Sequence, residues 1–210
     1  MTAKADDNEY WISKKNFKET VYMPIGSQKK DGIYMHPLLP DNAKKLKVSV
    51  NKKKLAKAKI YSDGLLKLYP KKTGTIKVTI TGVSNGKKFT RKGTIKLVKY
   101  ENPFKTLEIG GKSYRKTIHM RCNHDMYDIS GKTSMKINYK LKSGWKFVSK
   151  DVAIEDEEGN VKSWNIKNGK TYTWPKGNDM QVYMILKNKK HGGLVYVNLE
   201  FYHTEDFETA

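Results

Sequence analysis

The sequence predicts an all-β chain folded as two consecutive antiparallel β-sandwiches, and three observations carry that reading. Apolar residues recur at every second position in short runs, as on strands with one dry face and one wet face. Glycine-containing pairs punctuate these runs where tight hairpins need a residue with positive φ. Helical periodicity is nearly absent.

Taken in chain order, the first ambiguous stretch is "NKKKLAKAK" at 51–59, the one candidate for a helical turn. Its apolar residues Leu55, Ala56 and Ala58 form no stripe, so it reads as loop and strand. Leu66 and Leu68 follow on a short strand. Ile76, Val78 and Ile80 then alternate with Lys77, Thr79 and Thr81, the pattern of a strand with one face against a core. Later, Met135, Ile137, Tyr139 and Leu141 alternate with lysine and asparagine, Trp145 begins an alternation with Phe147, and Val195, Val197, Leu199 and Phe201 repeat the pattern. Turn signals fall between: Asp31-Gly32, Asp63-Gly64, Asn85-Gly86, Gly110-Gly111, Ser130-Gly131, Gly159-Asn160, Asn168-Gly169 and Gly192-Gly193.

The 210 residues suit two modules. The boundary is placed at Tyr100-Glu101-Asn102-Pro103, where a proline that cannot donate to a continuing ladder follows a strand. This gives a lysine-rich first domain over 1–102 and a second sandwich over 103–210. The charge follows the same division. The chain carries 42 basic and 21 acidic residues, of which 24 and 8 lie in residues 1–102. Nearly all the cations are lysine; only Arg91, Arg115 and Arg121 supply the planar donors that favour bidentate readout of bases or phosphates. Solvated lysine implies diffuse attraction to an anionic partner, whether nucleic acid, lipid head groups, an anionic wall polymer or a surface glycan, which charge alone does not separate, or else a face that keeps strand edges soluble. Specific nucleic-acid reading is not expected. No window is long and apolar enough to span a bilayer, the single Cys122 excludes an intrachain disulfide, and a monomer without cofactors is expected.

Ser62-Asp63-Gly64, then Leu66 and Leu68, then Lys72-Thr73-Gly74-Thr75-Ile76-Lys77-Val78-Thr79-Ile80 resembles the signature of group-2 bacterial immunoglobulin-like domains over about residues 50–95. In that family a turn glycine, a short strand and a G-T-x-x-I/V strand follow one another. For the first module the resemblance implies an immunoglobulin-like repeat of an extracellular, surface- or wall-associated bacterial protein, with a spacer or adhesive role and no catalysis. Ala3-Lys4-Ala5 ahead of Asp6 is consistent with the cleavage end of a removed export signal.

Four groups of residues invite a site. Lys44, Lys45, Lys47, Lys52, Lys53, Lys54, Lys57 and Lys59 are the densest cationic segment and the expected polyanion contact. Trp164, Tyr172 and Trp174 are candidates for a sugar-binding face, with Trp174, next to Pro175, expected to be the more exposed. Trp145 is expected in the core. In "HMRCNHD", strand parity lets Cys122 and His124 share a face while His119 points across the sheet, so a thiol–imidazole enzyme is a distant alternative. "EDEEGN" at 155–160 offers hard oxygen ligands but lacks the alternating spacing of a calcium loop, so it reads as an acidic hairpin tip and no metal site is expected.

Overall fold

The computed structural model of the chain describes residues 9–24, 32–129, 131–156 and 158–203. Turn partners Asp31 and Ser130, Glu157 of the acidic tip and the Ala3-Lys4-Ala5 segment lie outside the described residues. The chain divides into two compact units, Met1–Tyr100 and Glu101–Ala210.

The first unit contains β1 (Glu9–Ile12), β2 (Phe17–Tyr22), β3 (Ile33–Pro37), β4 (Lys44–Val50), β5 (Ala56–Ile60), β6 (Leu66–Pro70), β7 (Gly74–Ser84) and β8 (Lys87–Val98). They form two four-stranded sheets, β1-β3-β6-β5 and β2-β8-β7-β4. Ile33 and Met35, Leu66 and Leu68, Ile76, Val78 and Ile80, and Ile95 and Leu97 are all buried, so the inner positions of both sheets form one core. Each such side chain, fully removed from water, contributes roughly 1.5–3 kcal/mol before the entropy of ordering it. The segment 51–59 is loop and strand: a turn over Lys52–Leu55 closed by the Leu55 N–H donating to the Lys52 carbonyl (2.9 Å), then β5. Asn85 and Gly86, with φ of 50° and 77°, make the two-residue hairpin that returns β7 into β8, with Ser84 opposite Lys87.

The second unit contains β9 (Phe104–Ile109), β10 (Lys112–Ser113), β11 (Cys122–Asp128), β12 (Ser134–Leu141), β13 (Trp145–Glu155), β14 (Val161–Asn165), β15 (Thr171–Thr173), β16 (Asp179–Asn188) and β17 (Leu194–Tyr202). Its sheets run β10-β9-β12-β15 and β11-β17-β16-β13-β14. Met180, Val182, Met184 and Leu186 of β16 and Val195, Val197, Leu199 and Phe201 of β17 alternate strictly into its core, where Phe104, Leu107, Ile109 and Ile137 are also buried.

Both units are all-β sandwiches, and splitting the strands of the first between two sheets as first-third-sixth-fifth and second-eighth-seventh-fourth gives the immunoglobulin-like arrangement. Most ladders are antiparallel, but three pairs are parallel: β1 with β3, β2 with β8 and β11 with β17. In each unit an early strand thus covers an edge of the last one, leaving less ladder open to a foreign strand. Among the described residues no helix is long and apolar enough to cross a membrane.

Candidate functional site

The eight lysines of the dense cationic segment trace one margin of the first sandwich. β4 is the end strand of one sheet and β5 the end strand of the other, and the Lys52–Lys54 turn carries the chain between them. The pairing register puts Lys47 on the outer face of the first of these sheets, opposite Thr81. It puts Lys57 and Lys59 on the outer face of the second, opposite Tyr69 and Lys67. Lys45, with φ of 52°, sits in an irregularity of the β4 ladder between Lys44 and Lys47. All eight are exposed, and among the described residues none has a carboxylate within ion-pairing distance. Their charge is therefore directed to solvent rather than spent in salt bridges.

Two further cationic features, not singled out by sequence, lie on the same unit. A depression of about 750 Å³ crosses the β2-β8-β7-β4 sheet, lined in part by Lys18, Lys77, Lys92, Thr79 and Thr94. Cross-strand pairing of Lys77 with Thr94 and of Thr79 with Lys92 explains the alternating lysine and threonine surface.

On the β1-β3-β6-β5 sheet the outer face is aromatic as well as basic. Trp11 is 70% exposed and stacks on His36, with centroids 3.9 Å apart and planes 6° from parallel. Next along β3, Tyr34 accepts a 2.9 Å hydrogen bond from the Lys67 ammonium, whose Nζ lies 4.7 Å from the Tyr34 ring centre and 5.6 Å from that of Tyr69. That hydrogen bond is the main cause holding Lys67 above the ordinary lysine range. Lys59 Nζ sits 4.5 Å over the Tyr61 ring. The sequence signal for this face was present in the phase of "IYMHP" and "LKLYP", where Ile33, Met35, Leu66 and Leu68 point inward and Tyr34, His36, Lys67 and Tyr69 outward. What it lacked was the pairing that sets these outward residues side by side.

The expected sugar face in the second unit is not assembled. Trp174 and Tyr172 are only 5% and 4% exposed, against the expectation that Trp174 is the open ring. Thr171, Tyr172, Thr173 and Trp174 continue a period-two alternation, so both rings point into the core. Tyr172 is fixed there by its hydroxyl, which accepts from the Lys167 N–H (2.9 Å) and donates to the Asn165 carbonyl (3.3 Å). Trp164 alone of the three is at the surface, 42% exposed on the end strand β14. Trp145 is buried.

Around Cys122 the structure supplies a structural account. Asn123, buried, accepts at Oδ1 from the His119 and Met120 N–H groups (2.9 and 3.1 Å) and donates to the Met120 and Tyr196 carbonyls (2.7 and 3.2 Å), pinning the loop to β17. Cys122 is buried beside the Arg121 guanidinium, which lies over the Tyr196 ring. His124 points to Glu200, with Nε2 2.9 Å from Oε1. At the acidic tip, Asp156 turns onto its own loop, accepting from the backbone N–H groups of Asn160 (2.8 Å) and Glu158 (3.2 Å). The Asn160 bond is the main cause of the lowered Asp156 pKa. Among the described residues no three metal-ligating side chains converge.

No family model matches this chain, and no curated protein does. Among solved structures, the fibronectin(III)-like modules of Clostridium thermocellum CbhA align over 96% of this chain and 92% of theirs, at 10% identity and a TM-score of 0.37. Human protocadherin-24 EC1-2 aligns over 90% and 94%, at 9% identity and a TM-score of 0.28. A SusE-like surface-located polysaccharide binding protein from the Bacteroides thetaiotaomicron heparin utilisation locus aligns over 79% and 80%, at 10% identity and a TM-score of 0.22. These likenesses are too distant to assign a role. The class defined by the chain's own topology is that of immunoglobulin-like β-sandwich proteins.

Proposed function

We propose that this chain is a noncatalytic module of an exported bacterial protein, placed at the cell surface or wall. In this reading the first sandwich is a group-2 bacterial immunoglobulin-like domain that contacts an anionic wall polymer. The second unit, residues 101–210, acts as a spacer. The observation that carries the reading is the lysine margin: eight exposed ammonium groups running from β4 through the turn to β5, with no carboxylate beside them among the described residues. Such a rim attracts a flexible polyanion without fixing its register, because hydrated lysine acts as a point charge and not as a planar fork.

The test is retention on immobilised polyphosphate and on purified wall teichoic acid across a salt series. Binding at low salt that weakens steadily as salt rises is expected, with Lys52→Gln/Lys53→Gln/Lys54→Gln eluting earlier than the parent. Failure to bind at low salt, or binding indifferent to salt, overturns the polyanion reading.

A further inference from the structure

The outer face of the β1-β3-β6-β5 sheet is more organised than diffuse attraction requires. Exposed tryptophan is uncommon, and Trp11 is not merely left outside: the His36 ring beneath it holds it flat, with its other face turned to solvent. Parallel pairing of β1 with β3 sets Trp11 directly beside His36. From there the face steps two residues along β3 to Tyr34, whose partner on β1 is Glu9, and crosses to Lys67 on β6 and to Lys59 opposite Lys67 on β5. Four strands at ~4.8 Å spacing make this face ~14 Å wide.

Two details point to an anion as its occupant. Lys59 and Lys67 are direct cross-strand partners on one face, an arrangement in which like charges destabilise a sheet. Each ammonium is also held by aromatic rings, Lys59 by Tyr61 and Lys67 by Tyr34 and Tyr69. A lysine donates three hydrogen bonds, and Lys67 spends one on the Tyr34 hydroxyl, leaving donors for a carboxylate that would relieve the repulsion. Rings that fix the ammonium groups in place lower the entropy lost when a ligand binds.

We propose that this face is a binding platform for an acidic polysaccharide, with one sugar ring seated on Trp11 and carboxylates of nearby repeats held by Lys67 and Lys59. The proposal rests on the polyanion reading above and names the polymer as a carboxylated glycan. A single-stranded nucleic acid is the less suited occupant. Stacking successive bases takes a succession of open rings. Here the Tyr34, Tyr69 and Tyr61 rings already carry lysine ammonium groups, and Trp11 is the ring left open.

The experiment titrates the full chain with oligogalacturonate, its carboxyl-reduced neutral counterpart, polyphosphate and oligothymidylate, following heat release and tryptophan fluorescence. Trp11→Ala and Lys67→Gln should each weaken oligogalacturonate binding by about tenfold, the scale of losing one ring or one charged contact. Trp11→Ala should leave polyphosphate binding unchanged, and Trp11→Phe should recover part of the glycan affinity. Circular dichroism of each variant confirms the fold. Equal affinity for the neutral oligosaccharide, an unaffected Trp11→Ala, or tighter binding of oligothymidylate each overturns the platform. If polyphosphate binds while oligogalacturonate does not, the platform fails and the lysine margin stands; if neither binds, both fail.

Discussion

Phe17 lies across Gly93 so closely that a β-carbon built on the glycine would sit 2.1 Å from the ring's Cζ. The two residues are direct partners in the parallel β2–β8 pair, and both are buried. Gly93 is therefore a packing glycine: its missing side chain is the space the ring fills. Gly93→Ala must displace the ring or open the pair, at a cost of about 3 kcal/mol. Chemical denaturation should show a matching fall in midpoint, and Phe17→Leu combined with Gly93→Ala should recover part of the loss. Additive effects of the two changes would contradict this account.

Tyr172 makes a second internal link that can be cut cleanly. Tyr172→Phe keeps the buried ring and removes the hydroxyl that accepts from the Lys167 N–H and donates to the Asn165 carbonyl. A loss of about 1–3 kcal/mol is expected, because a part-buried N–H is left without its partner. A variant as stable as the parent in urea would show that water replaces the hydroxyl without cost.

Alkali should weaken the fold through phenols that folding partly or wholly removes from water. Burial is the leading cause raising Tyr100, Tyr114, Tyr127 and Tyr183, with Tyr22 adding to it at Tyr100 and Tyr196 at Tyr183. Unfolded tyrosine ionises near pH ~10. Above that point the unfolded chain has released protons that the native one still holds, so stability is full below it and falls as pH rises toward the native values. Urea midpoints followed from neutral to strongly alkaline solution should decline from about the free tyrosine range, less steeply in Tyr100→Phe. A profile that stays level through that range would refute the assignment.

Calcium should leave the acidic tip unmoved. The Asp156 carboxylate is committed to backbone N–H groups of Asn160 and Glu158 and to the Asn160 side chain. Those bonds favour the ionised form, so they are lost as pH falls through the lowered Asp156 pKa. Differential scanning calorimetry with and without millimolar-scale calcium should give one melting temperature, since metal ligation would require breaking the turn. A clear rise in melting temperature on adding calcium would show instead that the tip binds it.

Strand identity, the inward phase of Ile76, Val78 and Ile80 or of Val195, Val197 and Leu199, and the hairpin at Asn85-Gly86 were all legible in the sequence. Each depends on local physics: the two-residue repeat of an extended chain and the cost of positive φ at most side chains. The same rule, applied to Tyr172 and Trp174, would have placed both rings inside, and the neighbouring Pro175 was the misleading cue. The lysine-rich segment was visible as composition, but not as a margin wrapping from one sheet to the other.

Only the tertiary structure decided which residues became neighbours. Trp11 and His36 are 25 positions apart and meet because β1 pairs parallel with β3. Lys59 faces Lys67, and Phe17 faces Gly93, for the same kind of reason. Alternation tells each side chain which way to point, whereas adjacency across a sheet is set by ladder register and strand order, which are settled by packing of the whole core. The sequence by itself determined an all-β chain with its lysine excess concentrated in the first half; the pairing of strands distant along the chain decided that one lysine-coated face carries an open ring beside clustered charge.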